Sequence, residues 1–324
     1  MPEEERTDSP GRDTAGSDKA VPMPVNPMPR RMLLLGGAAT LMLSACGRGA
    51  RSDTRRLGIS AIPDQDPELL NRLYPAVSER FADATGLRVS YRPVTDYTAV
   101  VRAFEIGDVH LAWMGGLTGV QARERVPGAT AIAQRDIDAD FRSLFIANTD
   151  SGLRPFDRMD ELRGLAGHTL TFGSETSTSG RLMPQYFMLQ AGLKQSDLRG
   201  KPGFSGSHDA TIELVAKGSF EVGAVNKQVW DATAAAGDVD LSEVVVLWRT
   251  PGYADYHWLA HPDLDKTFGA GTGTKVLNLL LGLDRRNPED ARLLKLFGAK
   301  SFVRTENSAY DRIEDVARDL RLLR

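Results

Sequence analysis

At 324 residues, with 41% hydrophobic and 26% charged positions, the chain is long enough to bury two apolar cores and has the composition of an ordinary soluble fold. A net charge of −3 leaves no basic footprint for nucleic acid, and a single cysteine rules out a disulfide framework. The only long apolar run, 32–43, is too short and too rich in Gly and Ala for a transmembrane helix.

That run follows Arg30 and Arg31 and is closed by Leu43-Ser44-Ala45-Cys46, which makes a basic n-region, an apolar h-region and a small-residue processing site. The pattern resembles the lipobox of bacterial lipoproteins. The resemblance implies cleavage before Cys46 and lipidation of that residue, in preference to a buried free thiol. The paired arginines also resemble a weak twin-arginine export signal, although a basic n-region for the general secretory route is the simpler reading. Residues before Arg30 are rich in Glu, Asp, Pro and Ser and are expected to be disordered, with Met23, Met28 or Met32 as alternative starts. Residues 1–45 are therefore assigned to leader and signal peptide, and 46–56 to a polar tether.

From there the sequence alternates β-rich runs with amphipathic stretches, which predicts an α/β fold. A strand is expected at 57–62. A helix follows from Pro67, with Leu69, Leu70, Leu73, Tyr74, Val77 and Phe81 on one face and Gly86 ending it. Strands at 87–92 and 109–113 flank a helix at 97–104, and the third strand runs into Gly115-Gly116. Further strands are read at 130–134 and 143–147, and a short helix at 159–165. A second βα series comprises a strand at 169–172, a helix near 182–191, a helix after Asp209 and strands at 222–225 and 244–248. A strand at 256–260 and helices at 276–283, 288–297 and 310–323 close the first half. The glycine-rich stretch 269–274 is read as a loop and not as a phosphate-binding glycine loop, because no clear strand precedes it. Two crossings, near 146–151 and 249–255, would join a lobe of 57–148 plus 256–324 to a second lobe of 149–255, with a cleft between them.

The segment Phe172-Gly173-Ser174-Glu175-Thr176-Ser177-Thr178-Ser179-Gly180 lies between a strand and a helix. A helix start offers unpaired N–H groups and a partial positive charge, so hydroxyls gathered there suit an oxyanion without any Lys or Arg. They equally suit simple helix capping, and this segment alone does not separate the two. Pro184 removes an early helical hydrogen bond, so an irregular first turn is expected. Gly206-Ser207-His208-Asp209-Ala210 begins another helix, where His208 is either a ligand contact or a satisfied structural histidine and Asp209 reads as a cap. Tyr97 offers a phenol at a helix start, Met114 a soft wall at a strand end, and Trp113 reads as core.

Taken in order, Ser60-Ala61-Ile62-Pro63, Pro93-Val94-Thr95-Asp96-Tyr97, Leu111-Ala112-Trp113-Met114-Gly115-Gly116, the 174–180 turn, Gly206-Ser207-His208-Asp209-Ala210 and Ala224-Val225-Asn226 resemble the motifs of phosphonate-, phosphite- and phosphate-type ABC transporter binding proteins. The likeness spans nearly the whole mature chain and is nearest to the branch described as selenate-binding. It implies a two-lobed type II periplasmic-binding fold with two hinge crossings. A small tetrahedral oxyanion would be held by Ser177, Thr178 and Ser179 and contacted by Tyr97 and His208, with Met114, Asn226, Gln228 and Asp255 beside it. It also implies permease and ATPase partners, a lipid-anchored extracytoplasmic location, a monomer, and neither cofactor nor metal. Met114 and Gln228 stand where aminoalkyl-phosphonate binders carry a tyrosine and a glutamate. Without that carboxylate a buried ammonium has no partner, so an amine-bearing ligand is disfavoured. Asp255 or Asp209 would accept a proton from a ligand hydroxyl. Two other classes share these residues. Ser179, His208 and Asp255 are the residue types of an acyl-transfer triad, although no Gly-x-Ser-x-Gly elbow surrounds a serine. An extracytoplasmic sensor domain would use the same fold.

Overall fold

The computed structural model describes residues 55–323, so the leader, Cys46 and most of the tether lie outside the described residues. In chain order the elements are β1 (Leu57–Ala61), α1 (Pro67–Thr85), β2 (Val89–Tyr91), α2 (Tyr97–Glu105), β3 (Leu111–Met114), α3 (Gly116–Arg125), β4 (Thr130–Arg135), β5 (Ser143–Asn148), β6 (Leu170–Phe172), α4 (Met183–Gln190), β7 (Gly203–Phe204), α5 (His208–Ala216), β8 (Val222–Asn226), α6 (Lys227–Ala236), β9 (Val244–Arg249), β10 (His257–Ala260), α7 (Leu264–Phe268), α8 (Thr272–Gly282), α9 (Pro288–Leu296), β11 (Phe302–Arg304) and α10 (Asp311–Asp319). A 3-10 turn at Met159–Leu165 and a π-helical turn at Thr178–Leu182 complete the parts that matter for the site.

The strands form two sheets, ordered β11-β4-β10-β3-β1-β2 and β7-β6-β8-β5-β9. β1 pairs in parallel with β2 and β3, and every residue of β1 is buried, as expected of a strand covered on both faces. In the second sheet β6 is parallel to β7 and β8, while β5 runs antiparallel to both β8 and β9. β1 and β3 of the first sheet, and β6 and β8 of the second, lead directly into the loops and helix starts of the site, the usual place for a ligand on an open α/β sheet.

Local signals explain the element ends. Asp66 caps α1 by accepting from the N–H groups of Glu68 and Leu69, Pro67 occupies the first turn, and Gly86 closes the helix at φ +74°. Trp113 is core, with ring contacts to Tyr256, Trp258, Phe297 and Phe302.

The second crossing lies at 250–256, close to its expected place, but the first lies at 136–142. β5 pairs with β8 and β9 and so belongs wholly to the second sheet. The two crossing segments are tied to each other: Phe141 and Tyr253 exchange backbone hydrogen bonds of 2.9 and 3.0 Å as an isolated antiparallel bridge. Two further differences concern helices. The stretch 269–274 is not all loop, since α8 begins at Thr272, and neither α3 nor α6 is anticipated by periodicity. Among the described residues no helix is long and apolar enough to cross a membrane.

Candidate functional site

α3 begins at Gly116, directly after β3, and Gly115 at its cap supplies no side chain to its first N–H groups. Those donors instead reach distant residues. Gly116 N–H donates to Asp255 Oδ1 at 3.0 Å, and Leu117 N–H donates to the Thr178 hydroxyl at 3.0 Å. Thr178 comes from the second half of the molecule and opens the π-helical turn, whose cap Ser177 accepts from Gly180 N–H at 2.9 Å. The turn is irregular just before Pro184, as the missing N–H of that proline requires. A Cβ on Gly115 would lie 3.1 Å from both Asp255 Oδ1 and Thr178 Oγ1, so the carboxylate and the hydroxyl flank one spot.

Tyr97 is the first residue of α2, is 2% exposed, and its hydroxyl has no partner among the described residues. It lies beside Ser177, and burial holds its ionisation far above the usual tyrosine range. Ser179 sits 3.4 Å from His208 Nε2. His208, fully buried at the start of α5, accepts from Asn226 N–H through Nδ1 at 3.3 Å, which leaves the ring proton on Nε2, facing Ser179. Burial drives this imidazole down to about 3, so it is neutral at physiological pH. Asp255 is 1% exposed and its Oδ2 has no partner among the described residues. Burial raises it to about 7 against the pull of the Gly116 N–H and the Thr178 hydroxyl.

The structure thus brings Tyr97, Ser177, Thr178, Ser179, His208 and Asp255 to one buried cluster at four helix starts, with donors that are hydroxyls, a neutral imidazole and backbone N–H groups. Other expected residues have different partners. Asn226 spends its side chain inside the scaffold, donating to Tyr256 Oη at 3.0 Å and accepting from Val229 N–H at 2.6 Å as the cap of α6. Gln228 is turned away: its carbonyl accepts from Arg135, and its amide faces the Phe297 carbonyl at 3.4 Å. Met114 is buried in β3 opposite His257, within the hydrophobic core. Asp209 does not cap its own helix, because Ser207 does; it accepts instead from Asp66 N–H, across the interface between the halves, at 2.5 Å. Nor do Ser179, His208 and Asp255 form a relay: the carboxylate bonds the α3 backbone and leaves no acid to orient the imidazole.

Sequence reasoning missed three contributors. Arg135, at the end of β4, is buried in a bidentate pair with Asp138, donates to the Phe297 carbonyl at 2.8 Å, and lies 4.7 Å from the Tyr256 ring. Asp64 is buried and raised to about 6, and its carbonyl accepts from His208 N–H at 3.1 Å. The α3 backbone itself is the third. An aspartate after a strand and a glycine pair opening a helix were the available signals.

Residues 59–310 match the family described as ABC transporter, phosphonate, periplasmic substrate-binding protein. The chain belongs to that family. It is a substrate-binding component of an ABC importer of the phosphonate class, and it acts outside the cytoplasm. Among its relatives is the probable ABC transporter phosphite binding protein PhnD1 of Prochlorococcus marinus strain MIT 9301, 40% identical over 288 residues, which cover 89% of this chain and 97% of that protein. The structure of that organism's PhnD1 in complex with methylphosphonate superposes with a TM-score of 0.80 at 42% identity, covering 82% of this chain and 98% of the other. The phosphonates-binding periplasmic protein of Escherichia coli is 23% identical over 259 residues, covering 78% of this chain and 73% of that protein. The type II binding-protein architecture expected from the motifs is the one these structures share.

Proposed function

We propose that the chain captures a small tetrahedral phosphorus oxyanion, of the size of phosphite or methylphosphonate, between its two halves. Tyr97, Ser177, Thr178, Ser179 and His208 would donate to its oxygens. The observation that carries this reading is the meeting of Thr178 from one half with the first turn of α3 from the other, beside an Asp255 oxygen and a Tyr97 hydroxyl that are buried without hydrogen-bond partners among the described residues. Neutral donors aimed by helix starts hold an anion without the desolvation cost of a buried cation. Ionised, the Asp255 Oδ2 accepts from a ligand hydroxyl, and protonated it donates to a ligand oxygen, so with the carboxyl raised to about 7 one proton is shared between Asp255 and the ligand. The phosphite and methylphosphonate named for PhnD1 are in keeping with a ligand whose fourth substituent is small.

The lobes would be 57–142 with 256–324, and 143–255, hinged at the paired crossings and closing on the ligand. Binding then stabilises the folded form by mass action. A thermal-shift panel of phosphite, methylphosphonate, phosphate, sulfate, selenite and selenate tests the assignment. A shift with phosphite or methylphosphonate supports it, and none with any member refutes it. We also infer that Cys46 carries a lipid anchor on a monomeric protein; Cys46→Ala should move the protein from the membrane to the soluble fraction, and unchanged membrane retention would refute the anchor.

A further inference from the structure

His257 belongs to none of the groups assigned to the ligand, yet it touches two of the elements that form the site. It opens β10, is 0% exposed, and packs its ring against Tyr310 at a centroid distance of 4.1 Å. Its Nδ1 lies 3.1 Å from the carbonyl oxygen of Asp255. A carbonyl only accepts, so Nδ1 carries the proton and Nε2 presents a bare lone pair. That Nε2 has no partner among the described residues. A lone pair buried without a donor is a cost that phenylalanine would avoid. Packing alone therefore does not account for a histidine here, whereas the bond to the Asp255 carbonyl does.

The far edge of the ring faces α3. A Cβ on Gly119 would lie 2.3 Å from both Cε1 and Nε2 of His257, closer than any side chain can approach. One turn earlier, a Cβ on Gly116 would meet the Ala254 carbonyl at 3.2 Å. Two glycines three residues apart thus let α3 lie down on the segment 254–257, which carries Ala254, Asp255 and His257 and leads into β10. The imidazole fills the gap, with its proton on the Asp255 backbone and its edge on the α3 backbone. Those two backbones are joined at the site by the 3.0 Å bond from Gly116 N–H to Asp255 Oδ1.

We propose that His257 is a positioning residue: wedged between the Asp255 carbonyl and Gly119, its ring sets the distance between the Asp255 carboxylate and the first turn of α3, and through it the affinity for the anion. The inference rests on the oxyanion reading. Calorimetric titration of the full chain with phosphite and with methylphosphonate comes first, and no binding of either by the wild type overturns both proposals.

With wild-type binding in hand, four variants test the wedge, each checked for a cooperative melt. Gly119→Ala, which forces the ring and the helix apart, should bind roughly tenfold or more weakly. His257→Asn keeps a donor where Nδ1 stands and removes the ring edge, so Gly119→Ala made in that background should cost no more than about twofold. His257→Phe loses the donor to the Asp255 carbonyl and sets a larger ring against Gly119, so it should weaken binding. Gly119→Ala that folds and binds like wild type overturns the proposal, as does an equal Gly119→Ala penalty with and without His257→Asn. Should Gly119→Ala alone fail to fold, the double variant measured against His257→Asn decides: equal affinity supports the wedge and a further tenfold loss overturns it.

Discussion

Replacing Thr178 with valine keeps the side-chain volume and deletes one hydroxyl, and the structure separates two consequences of that loss. The hydroxyl accepts from Leu117 N–H at 3.0 Å in a buried setting, so valine leaves that donor without a partner. An orphaned buried donor costs about 1–3 kcal/mol of stability, and the ligand-free melt should fall by several degrees. A hydroxyl that donates to a charged ligand contributes about 1.5–3 kcal/mol to binding, which corresponds to a loss of roughly 10- to 150-fold in affinity. Thr178→Ser retains the oxygen and should recover most of both. Differential scanning calorimetry reads the first effect and isothermal titration with methylphosphonate the second. A destabilised Thr178→Val protein with unchanged affinity would refute the reasoning, because it would make Thr178 a brace for α3 and nothing more.

Tyr97→Phe removes a hydroxyl that has no partner among the described residues, so it should leave the ligand-free melt unchanged or higher while weakening titrated binding; equal affinity would remove Tyr97 from the site. Asp255, raised to about 7 from 3.8, holds its proton more tightly folded than unfolded, so its contribution to stability is fully present below about pH 4 and lost as pH rises to about 7. Asp255→Asn should erase that slope in urea melts taken across the range and gain up to roughly 4 kcal/mol at pH 8, whereas an unchanged slope would contradict burial of the carboxylate. Arg135→Ala leaves Asp138 buried and uncompensated at the first crossing and should cost about 3–5 kcal/mol; a loss under 1 kcal/mol by the same melts would mean that the pair is solvated.

The first half of the fold is legible in the sequence because its signals are local. The apolar face of α1, its Asp66-Pro67 start and its Gly86 stop all lie within a few residues of the features they determine. The same holds for the hydroxyl run 177–179, whose position between a strand and Pro184 marks both a helix start and its irregularity. What was missed depends on distant partners. β5 is buried along its length and apolar through 144–147, so its pattern does not say which sheet receives it, and the crossing expected after the strand lies before it. α3 opens with Gly116, Thr118 and Gly119, poor helix formers in isolation, and is held by packing on the segment that carries Ala254 and His257. Arg135 and Asp64 carry charges that composition assigns to the surface, and only tertiary pairing explains their burial. Gln228 could be aligned with a ligand-binding position, but nothing local revealed that Arg135 would take its carbonyl.

The central claim is that neutral hydroxyls at converging helix starts, and not cationic side chains, hold the ligand. A crystal structure of the full mature chain grown with methylphosphonate tests it most directly. The account predicts phosphonate oxygens within hydrogen-bonding distance of Tyr97, Ser177, Thr178 and His208, with one oxygen on Asp255 Oδ2. Phosphonate bound instead to arginine or lysine side chains, away from Thr178, would contradict it.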